Sequence, residues 1–317
     1  MDVEAVVCIP TFRRPESLQK TLDSLIAQIG GVRFSVVVVE NDAAGLAGKA
    51  VADAVFASRD LSGLCVVEKQ QGNCCAINRA FKTAREQFPT AEFLLMIDDD
   101  EVASPSWLAD MAATAQATGA DLVGGPVLRN FEETPPSHRL GHPLFVPTLT
   151  ETGEIPSLHG TGNCLIRRQV FAALGEPSFD LRFNFLGGGD MDFFTRCRNA
   201  GFKAYWNNDA VVTESVPKSR TTVAFMLRRS IGIGAVNYTI DRKRFPDGKG
   251  ALGLTVKNLA TLGVGLLRGA SIFLRTGDWL RASYPLCLSV GRNMAALGFT
   301  PSPYKAQNHP APATRPV

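Results

Sequence analysis

Short apolar segments recur over the first hundred residues, and each one ends at a polar loop. They span residues 5–9, 34–39, 65–67 and 93–97, and helical patterns follow the first and the third. The valine-rich segment 34–39 is typical of a parallel strand that is buried on both faces. This order predicts an α/β fold, in which an open, Rossmann-like and mostly parallel sheet is flanked by helices and binds ligands at the carboxyl ends of its strands.

The rest of the chain divides into three regions. Further strand-like segments at 160–166 and 204–212, a loop-like stretch at 130–158 and a helix from Asp190 to Asn199 continue a first domain, which we expect to end at residue 217. Residues 218–300 are predicted to form a helical extension. Residues 301–317 contain five prolines and are predicted to be a disordered tail.

Four carboxylates follow directly on an apolar run in FLLMIDDDE, which ends at Glu101. Their mutual repulsion raises their pKa values unless a cation offsets it, and hard oxygen ligands at a strand end suit Mg²⁺ or Mn²⁺. The alternative is an acidic turn before the next helix, because acidic residues are favoured near helix N-termini.

A second acidic motif, LGGGDMDFF, combines three glycines with Asp190 and Asp192 at the start of a helix. Glycines let the backbone approach a ligand closely, and one of the two carboxylates is a candidate general base. The alternative is a flexible loop in which Asp190 serves only as a helix cap.

These motifs carry a family resemblance. The chain resembles family 2 inverting glycosyltransferases with the GT-A fold in six ordered motifs: VVCIPTFRRPESLQKTLDSL, VVVVENDAAG, QQGNCCAINRAF, FLLMIDDDE, GTGNCLIRR and LGGGDMDFF. The similarity covers roughly residues 5–230. Within the family, IDDDE, GGGDMDF and AVVTESVPKSR look most like bacterial exopolysaccharide glucosyltransferases of the succinoglycan type.

The resemblance implies a nucleotide-sugar half at about residues 1–101 and an acceptor half at about 102–217. It implies Asp190 as catalytic base and Asp100 as metal ligand. The residues implied to contact the nucleotide or the donor sugar are Pro10, Thr11, Phe12, Arg14, Glu40, Asp42, Asn73, Asn78, Asp98 and Asp99. The residues implied near the acceptor or the diphosphate are Asn163, Asp192, Arg228 and Arg229. The chain departs from the family pattern at Glu40, where Asp is more common, and at Gly189, where Glu is more common.

Charge is distributed unevenly along the chain. Residues 218–317 carry 15 Lys and Arg against 3 Asp and Glu, whereas residues 1–217 carry 18 against 27. On a helical wheel, Lys257, Arg268 and Arg275 fall on one side, opposite apolar positions. This pattern predicts peripheral attachment to an anionic membrane surface; the alternative is a soluble helical subdomain that packs on the first domain or on a second subunit. We expect no nucleic-acid partner.

The seven cysteines are odd in number and form no CxxC pair, so a reducing cytoplasm fits best, on the inner face of the cell membrane. The resemblance implies transfer of a sugar, with glucose expected, from a UDP-sugar to a lipid-linked saccharide in surface polysaccharide synthesis. The mechanism would be a single displacement assisted by Mn²⁺ or Mg²⁺. Two other functions stay open at this point: a nucleotidyltransferase that makes sugar nucleotides, although PTFRRPES is not a Gly-rich phosphate loop, and a non-catalytic membrane scaffold.

Overall fold

The first four strands are almost wholly apolar and alternate with three helices. The computed structural model describes residues 2–58 and 60–303. All residues of the fourth strand are buried, as expected of a strand that is covered on both faces. The elements of this part are β1 (Ala5–Thr11), α1 (Pro15–Ile26), β2 (Phe34–Glu40), α2 (Ala47–Ser58), β3 (Gly63–Val67), α3 (Asn73–Gln87) and β4 (Phe93–Ile97).

The following part, up to residue 216, contains shorter elements. They are β5 (Glu101–Ala103), α4 (Trp107–Thr118), β6 (Leu122–Gly124), β7 (Val127–Phe131), α5 (Ser137–Leu140), β8 (Gly153–Ile155), β9 (Asn163–Arg167), α6 (Arg168–Leu174), α7 (Gly189–Asn199), β10 (Ala204–Trp206) and β11 (Val212–Val216). The segment 130–158 was predicted as loop, but it includes the end of β7, all of α5 and β8. The single strand expected at 204–212 is instead β10 and the start of β11, which belong to different sheets.

The main sheet has the strand order β3-β2-β1-β4-β9-β6-β10-β8. Four of its seven neighbouring pairs are parallel, which confirms the predicted mostly parallel sheet. Because β9 runs antiparallel to β4, its first residue, Asn163, pairs with Ile97 at the end of β4. The loop before β9 therefore lies at the same edge as the carboxyl ends of β1, β2 and β4.

Helices cover both faces of this sheet. One core cluster packs α3, α6 and α7 against it, through side chains such as Phe81, Phe171 and Phe193. The other packs α1, α2 and α4, through Leu22, Ala52 and Met111. A second sheet, β5-β11-β7, lies beside the carboxyl end of β4, where the Ser215 N–H of β11 bonds the Asp100 carbonyl.

Three helices form the predicted C-terminal extension: α8 (Val223–Arg244), α9 (Gly248–Thr276) and α10 (Trp279–Ala296). They pack closely through glycines. A Cβ at Gly234 or Gly291 would overlap the backbone of the partner helix, and a Cβ at Gly265 would lie 2.7 Å from Ser289 Oγ. The tail predicted at 301–317 lies outside the described residues from position 304 onward.

Candidate active site

Asp99 joins the loop after β4 to the loop after β1. Its carboxylate accepts hydrogen bonds from the Thr11 hydroxyl (2.8 Å), the Phe12 N–H (3.3 Å) and Arg14 Nη1 (3.1 Å). Burial raises the pKa of Asp99, and Arg14 and the Thr11 hydroxyl partly offset that rise. Both carboxylate oxygens are engaged inside the protein, so Asp99 positions Phe12 and Arg14 rather than presenting a free oxygen to a donor sugar.

Glu40 closes the loop after β2. Its carboxylate is fully buried and accepts hydrogen bonds from the backbone N–H groups of Asp42 (2.8 Å), Gly48 (2.7 Å) and Lys49 (3.2 Å). Its oxygens satisfy backbone N–H groups before and at the start of α2, and the contact of Glu40 with the nucleotide stays a prediction. Asp42 is more open and pairs with Arg13 at 2.7 Å, which lowers the pKa of Asp42.

Asp98 is half-buried and Glu101 is buried, and their carboxyl groups belong to one turn. Burial, followed by the charges of Asp100 and Asp99, raises the pKa of Asp98 to about 7. Glu101 Oε2 accepts the Asp98 N–H at 2.9 Å, and burial together with Asp98 raises the pKa of Glu101. The turn thus holds more negative charge than its surroundings neutralise, as expected of a cation site.

Asp100 carries two cationic contacts on one oxygen. Its Oδ2 lies 2.7 Å from Arg14 Nη1 and 3.7 Å from Arg220 Nη2. The Asp100 carbonyl also accepts the Ser215 N–H at 3.1 Å, which fixes the turn against β11.

The second sheet supplies charged residues that the sequence analysis did not select. Glu214 of β11 stands opposite Glu101 on one side and Arg129 on the other. It forms ion pairs with Arg129 and with Arg220. The motif AVVTESVPKSR includes Arg220 and is the sequence feature that could have identified it. Arg129 reaches this position only through the pairing of β7 with β11.

Asp190 lies in the first turn of α7. Burial raises its pKa, whereas the Met191 backbone N–H and the charges of Arg229 and His159 oppose that rise. Asp190 also contributes to the raised pKa of Asp98, so the two carboxyl groups interact across the site. The structure thus brings the predicted base beside the predicted metal and donor turn.

The glycines before Asp190 serve protein packing. Gly188 has φ +81°, in the left-handed region that favours glycine, and a Cβ there would overlap Val236 of α8. A Cβ at Gly189 would lie 2.8 Å from Cys74 Sγ. The close approach that was predicted for a ligand is therefore made, at these two positions, to α8 and α3.

Two of the residues expected near the acceptor or the diphosphate are placed elsewhere. Asp192 is buried and pairs with Arg196 (2.9 Å) and Lys243 (2.8 Å), so it fastens α8 to α7 rather than facing a substrate. Arg228 is exposed on α8. Arg229 is half-buried, and its charge acts on Asp190.

Three asparagines had also been assigned to ligands. Asn163 is buried, accepts a hydrogen bond from Trp107 Nε1 (2.7 Å) and donates to two backbone carbonyls. Its place near the sugar acceptor or the diphosphate stays a prediction. Asn78 exchanges two hydrogen bonds with the backbone of Phe179 and holds that loop, and its contact with the nucleotide stays a prediction. Asn73 is exposed at the start of α3, and Pro10 is half-buried at the end of β1.

Comparison with known proteins agrees with this geometry. Residues 6–175 match the model of glycosyl transferase family 2. The chain is 33% identical over 245 residues to the succinoglycan biosynthesis protein ExoM of Rhizobium meliloti, covering 74% of this chain and 73% of that protein. It is 30% identical over 217 residues to the O-antigen biosynthesis protein RfbC of Myxococcus xanthus, covering 62% of this chain and 16% of that protein.

Solved structures share the fold at low sequence identity. The mannosyltransferase PcManGT from Pyrobaculum calidifontis, in complex with GDP-Man and Mn²⁺, superposes with a TM-score of 0.61 at 17% identity, covering 93% of this chain and 87% of that one. TarS 1-349 of S. aureus, in complex with UDP-GlcNAc, gives 0.51 at 15% identity, covering 94% and 92%. These likenesses confirm the predicted GT-A fold. The chain belongs to glycosyl transferase family 2 and is a glycosyltransferase.

Proposed function

We propose that this enzyme transfers a sugar from a UDP-sugar to a lipid-linked saccharide, with inversion at the anomeric carbon and with Asp190 as the base. The observation that supports the proposal is that Asp190, in the first turn of α7, lies near enough to the acidic turn Asp98–Asp100 for its charge to raise the pKa of Asp98. Such a pair of sites separates two tasks, proton removal from the acceptor and stabilisation of the leaving diphosphate.

The relatives support a role in surface polysaccharide synthesis. ExoM is named for succinoglycan biosynthesis and RfbC for O-antigen biosynthesis, and both products are built from sugars. The structural neighbours hold different donors, GDP-Man in PcManGT and UDP-GlcNAc in TarS. We propose UDP-glucose as donor on the resemblance to the succinoglycan type, and the donor panel described below tests that choice.

The residues of the acidic turn fit a divalent metal. Asp98 and Asp100 offer hard carboxylate oxygens, and the raised pKa of Asp98 marks negative charge that a cation would offset. Within residues 2–58 and 60–303, no group of three or more Asp, Glu, His or Cys side chains is arranged to hold a metal ion. Nucleotide phosphates and water would therefore complete the coordination, as is usual for Mg²⁺. The metal, when bound, supplies charge stabilisation to the leaving diphosphate.

The chain's own residues account for the remaining steps. Asp190 accepts the proton of the acceptor hydroxyl as that oxygen attacks the anomeric carbon, and the bond from the sugar to the diphosphate breaks in the same step. Arg220 lies 3.7 Å from the proposed metal ligand and neutralises charge at the diphosphate. Its placement makes it a better candidate for this role than the exposed Arg228.

The test is release of UDP or GDP from a panel of nucleotide sugars, with Mg²⁺ or Mn²⁺ and with or without membrane lipid extract. We expect UDP-glucose to be consumed only when extract supplies the acceptor. Asp190→Asn should lower kcat by about 10²–10⁴-fold with donor binding retained. Asp53→Asn, which removes an exposed carboxylate paired with Lys49, is the matched control and should keep full activity. Full activity of Asp190→Asn would exclude Asp190 as base.

We also propose that α9 attaches the enzyme to an anionic membrane surface. By length and composition α9 is long and apolar enough to cross a membrane, and 17% of its most apolar window is buried. One stripe, which includes Leu254, Gly265 and Gly269, packs inside the protein. Because that stripe is occupied by protein along the helix, we propose that α9 lies in the membrane surface rather than across it.

The exposed side of α9 is apolar and is edged by cations. Leu252, Val256, Leu259, Leu267 and Leu274 are between 62% and 85% exposed. Arg268 and Arg275 are exposed and lie to one side of this strip on the helical wheel, where they could meet lipid phosphates. Lys257 lies on the same side and pairs with Asp241 at 2.8 Å. The charge balance of the C-terminal region favours anionic lipid as the occupant over a second copy of the same basic surface.

Vesicle flotation tests the attachment. The double variant Leu267→Gln/Leu274→Gln should bind phosphatidylglycerol vesicles at least about tenfold more weakly, because it lacks two leucine side chains that the bilayer would bury. Ile29→Gln is the matched control, since Ile29 is 63% exposed on the catalytic domain. Unchanged vesicle binding by the double variant would refute the membrane assignment. So would a wild-type protein that is dimeric and becomes monomeric in the double variant.

A further inference from the structure

Arg14 pairs with Asp100 Oδ2, an oxygen of the proposed metal ligand. Its Nη1 lies 3.1 Å from Asp99 Oδ1 and 2.7 Å from Asp100 Oδ2, so one guanidinium nitrogen bridges two neighbouring carboxylates. Arg14 lies in the loop after β1, and hydrogen bonds from Thr11 and Phe12 to Asp99 fix that loop to the acidic turn. Arg14 is thus held over the turn by its own loop.

A second guanidinium approaches the same oxygen. Arg220 Nη2 is 3.7 Å from Asp100 Oδ2, and its Nη1 is 2.7 Å from Glu214. Arg220 therefore has a carboxylate partner outside the acidic turn, Glu214, whereas the Arg14 guanidinium pairs with Asp99 and Asp100 of the turn itself. A divalent ion held by Asp100 would be repelled at close range by the two guanidinium charges.

We propose that Arg14 is an internal counter-cation that competes with the divalent metal for Asp100, so that metal binds strongly only together with a nucleoside diphosphate. The proposal rests on the metal role proposed above for Asp100. The diphosphate provides the guanidinium with an alternative anionic partner and provides the metal with further oxygen ligands. Arg14 is in this sense a positioning residue, which couples occupancy of the metal site to the presence of the donor.

Thermodynamic coupling makes the idea measurable without turnover. If Arg14 and the metal exclude one another, removing Arg14 strengthens metal binding to the protein alone and reduces the gain that UDP brings, because the coupling is reciprocal. If Arg14 merely orients Asp100 as a metal ligand, its removal weakens metal binding under both conditions. The two roles predict opposite signs.

The experiment is Mn²⁺ titration of the full chain followed by electron paramagnetic resonance, with and without UDP. In the absence of UDP, Arg14→Gln should bind Mn²⁺ about tenfold more tightly than the wild type, as expected when one competing charge is removed. Arg13→Gln is the matched control: it removes the same charge from the same loop, but Arg13 pairs with Asp42. It should change Mn²⁺ affinity less than about twofold.

The other outcomes separate this inference from the proposed function. Unchanged or weaker Mn²⁺ binding by Arg14→Gln, in a protein whose wild type binds Mn²⁺ with UDP, overturns the inference alone. No Mn²⁺ binding by the wild type even with UDP overturns both. Should Arg14→Gln fail to fold, Arg220→Gln is expected to strengthen Mn²⁺ binding without UDP in the same direction but less, because its guanidinium is farther from Asp100. The absence of that gain also overturns the inference.

Discussion

Asp190 titrates in an environment that burial dominates, and this bears directly on the pH dependence of transfer. A base must be ionised to accept a proton, and burial raises the pKa of Asp190 above its usual value. We therefore expect kcat/KM to fall as the pH is lowered through a pKa higher than that of an ordinary aspartate. The measurement is the pH profile of kcat/KM from about pH 8 down to about pH 4.5.

Arg229 provides the internal check on that assignment. Its charge lowers the pKa of Asp190, so Arg229→Gln should move the acid limb to higher pH. A limb that stays in place in this variant would show that the titrating group is not Asp190.

Asp98 is a residue at which function opposes stability. Its pKa is raised to about 7 in the folded protein, so folding favours its protonated form, and the cost of ionising it grows between about pH 4 and pH 7. Without metal, Asp98→Asn should therefore raise the free energy of unfolding by about 1–3 kcal/mol at pH 8 and by much less at pH 5.

Thermal denaturation at the two pH values, in chelator, measures the effect. The same variant should lose activity, because a ligand of the acidic turn is removed. Equal stabilisation at both pH values would mean that the charge of Asp98 is not the cause.

Single residues differ in how far sequence could identify them. The family resemblance selects Asp190 and Asp100, and their roles stay predictions; the structure places Asp190 in the first turn of α7 and Asp100 in the turn after β4. Arg129 could not be selected in this way, because it reaches the site only through its register beside Glu214. Glu40 and Asn163 have the residue types of ligand contacts, yet buried backbone groups and Trp107 use their polar atoms.

At the scale of elements, Lys243 joins α8 of the helical extension to two carboxylates of the catalytic domain. Lys243 of α8 lies 2.8 Å from Asp192 of α7 and 2.8 Å from Asp180. Lys243→Met should lower the free energy of unfolding by about 2 kcal/mol, because Asp192 is buried and loses a cationic partner. Urea denaturation of the full chain gives this value.

The control for this variant is Lys49→Met. Lys49 forms an exposed pair with Asp53 within α2, and removing it should cost about 0.5 kcal/mol or less. If the two variants are equally stable, the Lys243 contacts do not fasten the extension.

Helices and strands with strong local patterns were predictable from the sequence, whereas the pairing of strands within the two sheets was not. The runs that became β1, β2 and β4 are apolar except at Ser35, and α7 begins one residue before its predicted start. The break between β10 and β11 was missed, since only tertiary pairing assigns one strand to each sheet. The antiparallel direction of β9 leaves no mark in the composition of Asn163–Arg167.

For the whole molecule, the uneven charge distribution governs how the enzyme meets a membrane. The basic residues of the C-terminal region should attract anionic vesicles, and salt screens such attraction. We expect binding to phosphatidylglycerol vesicles to weaken about tenfold between about 0.1 M and 0.5 M NaCl. Flotation at the two salt concentrations measures it.

Neutral phosphatidylcholine vesicles are the control and should bind weakly at both salt concentrations. Binding that is strong and independent of salt on either lipid would instead indicate that α9 inserts through its apolar residues alone.

The position of β9 between β4 and β6 has a consequence for biosynthesis. The ribosome releases β1 to β4 first, and one edge of β4 has no partner until residues 163–167 have been made. That edge belongs to the sequence FLLMI, and an unpaired apolar edge invites pairing with other chains. The nascent chain is therefore most prone to aggregate during synthesis of residues 98–162, which separate the two strands, and a chaperone would protect it most in that interval.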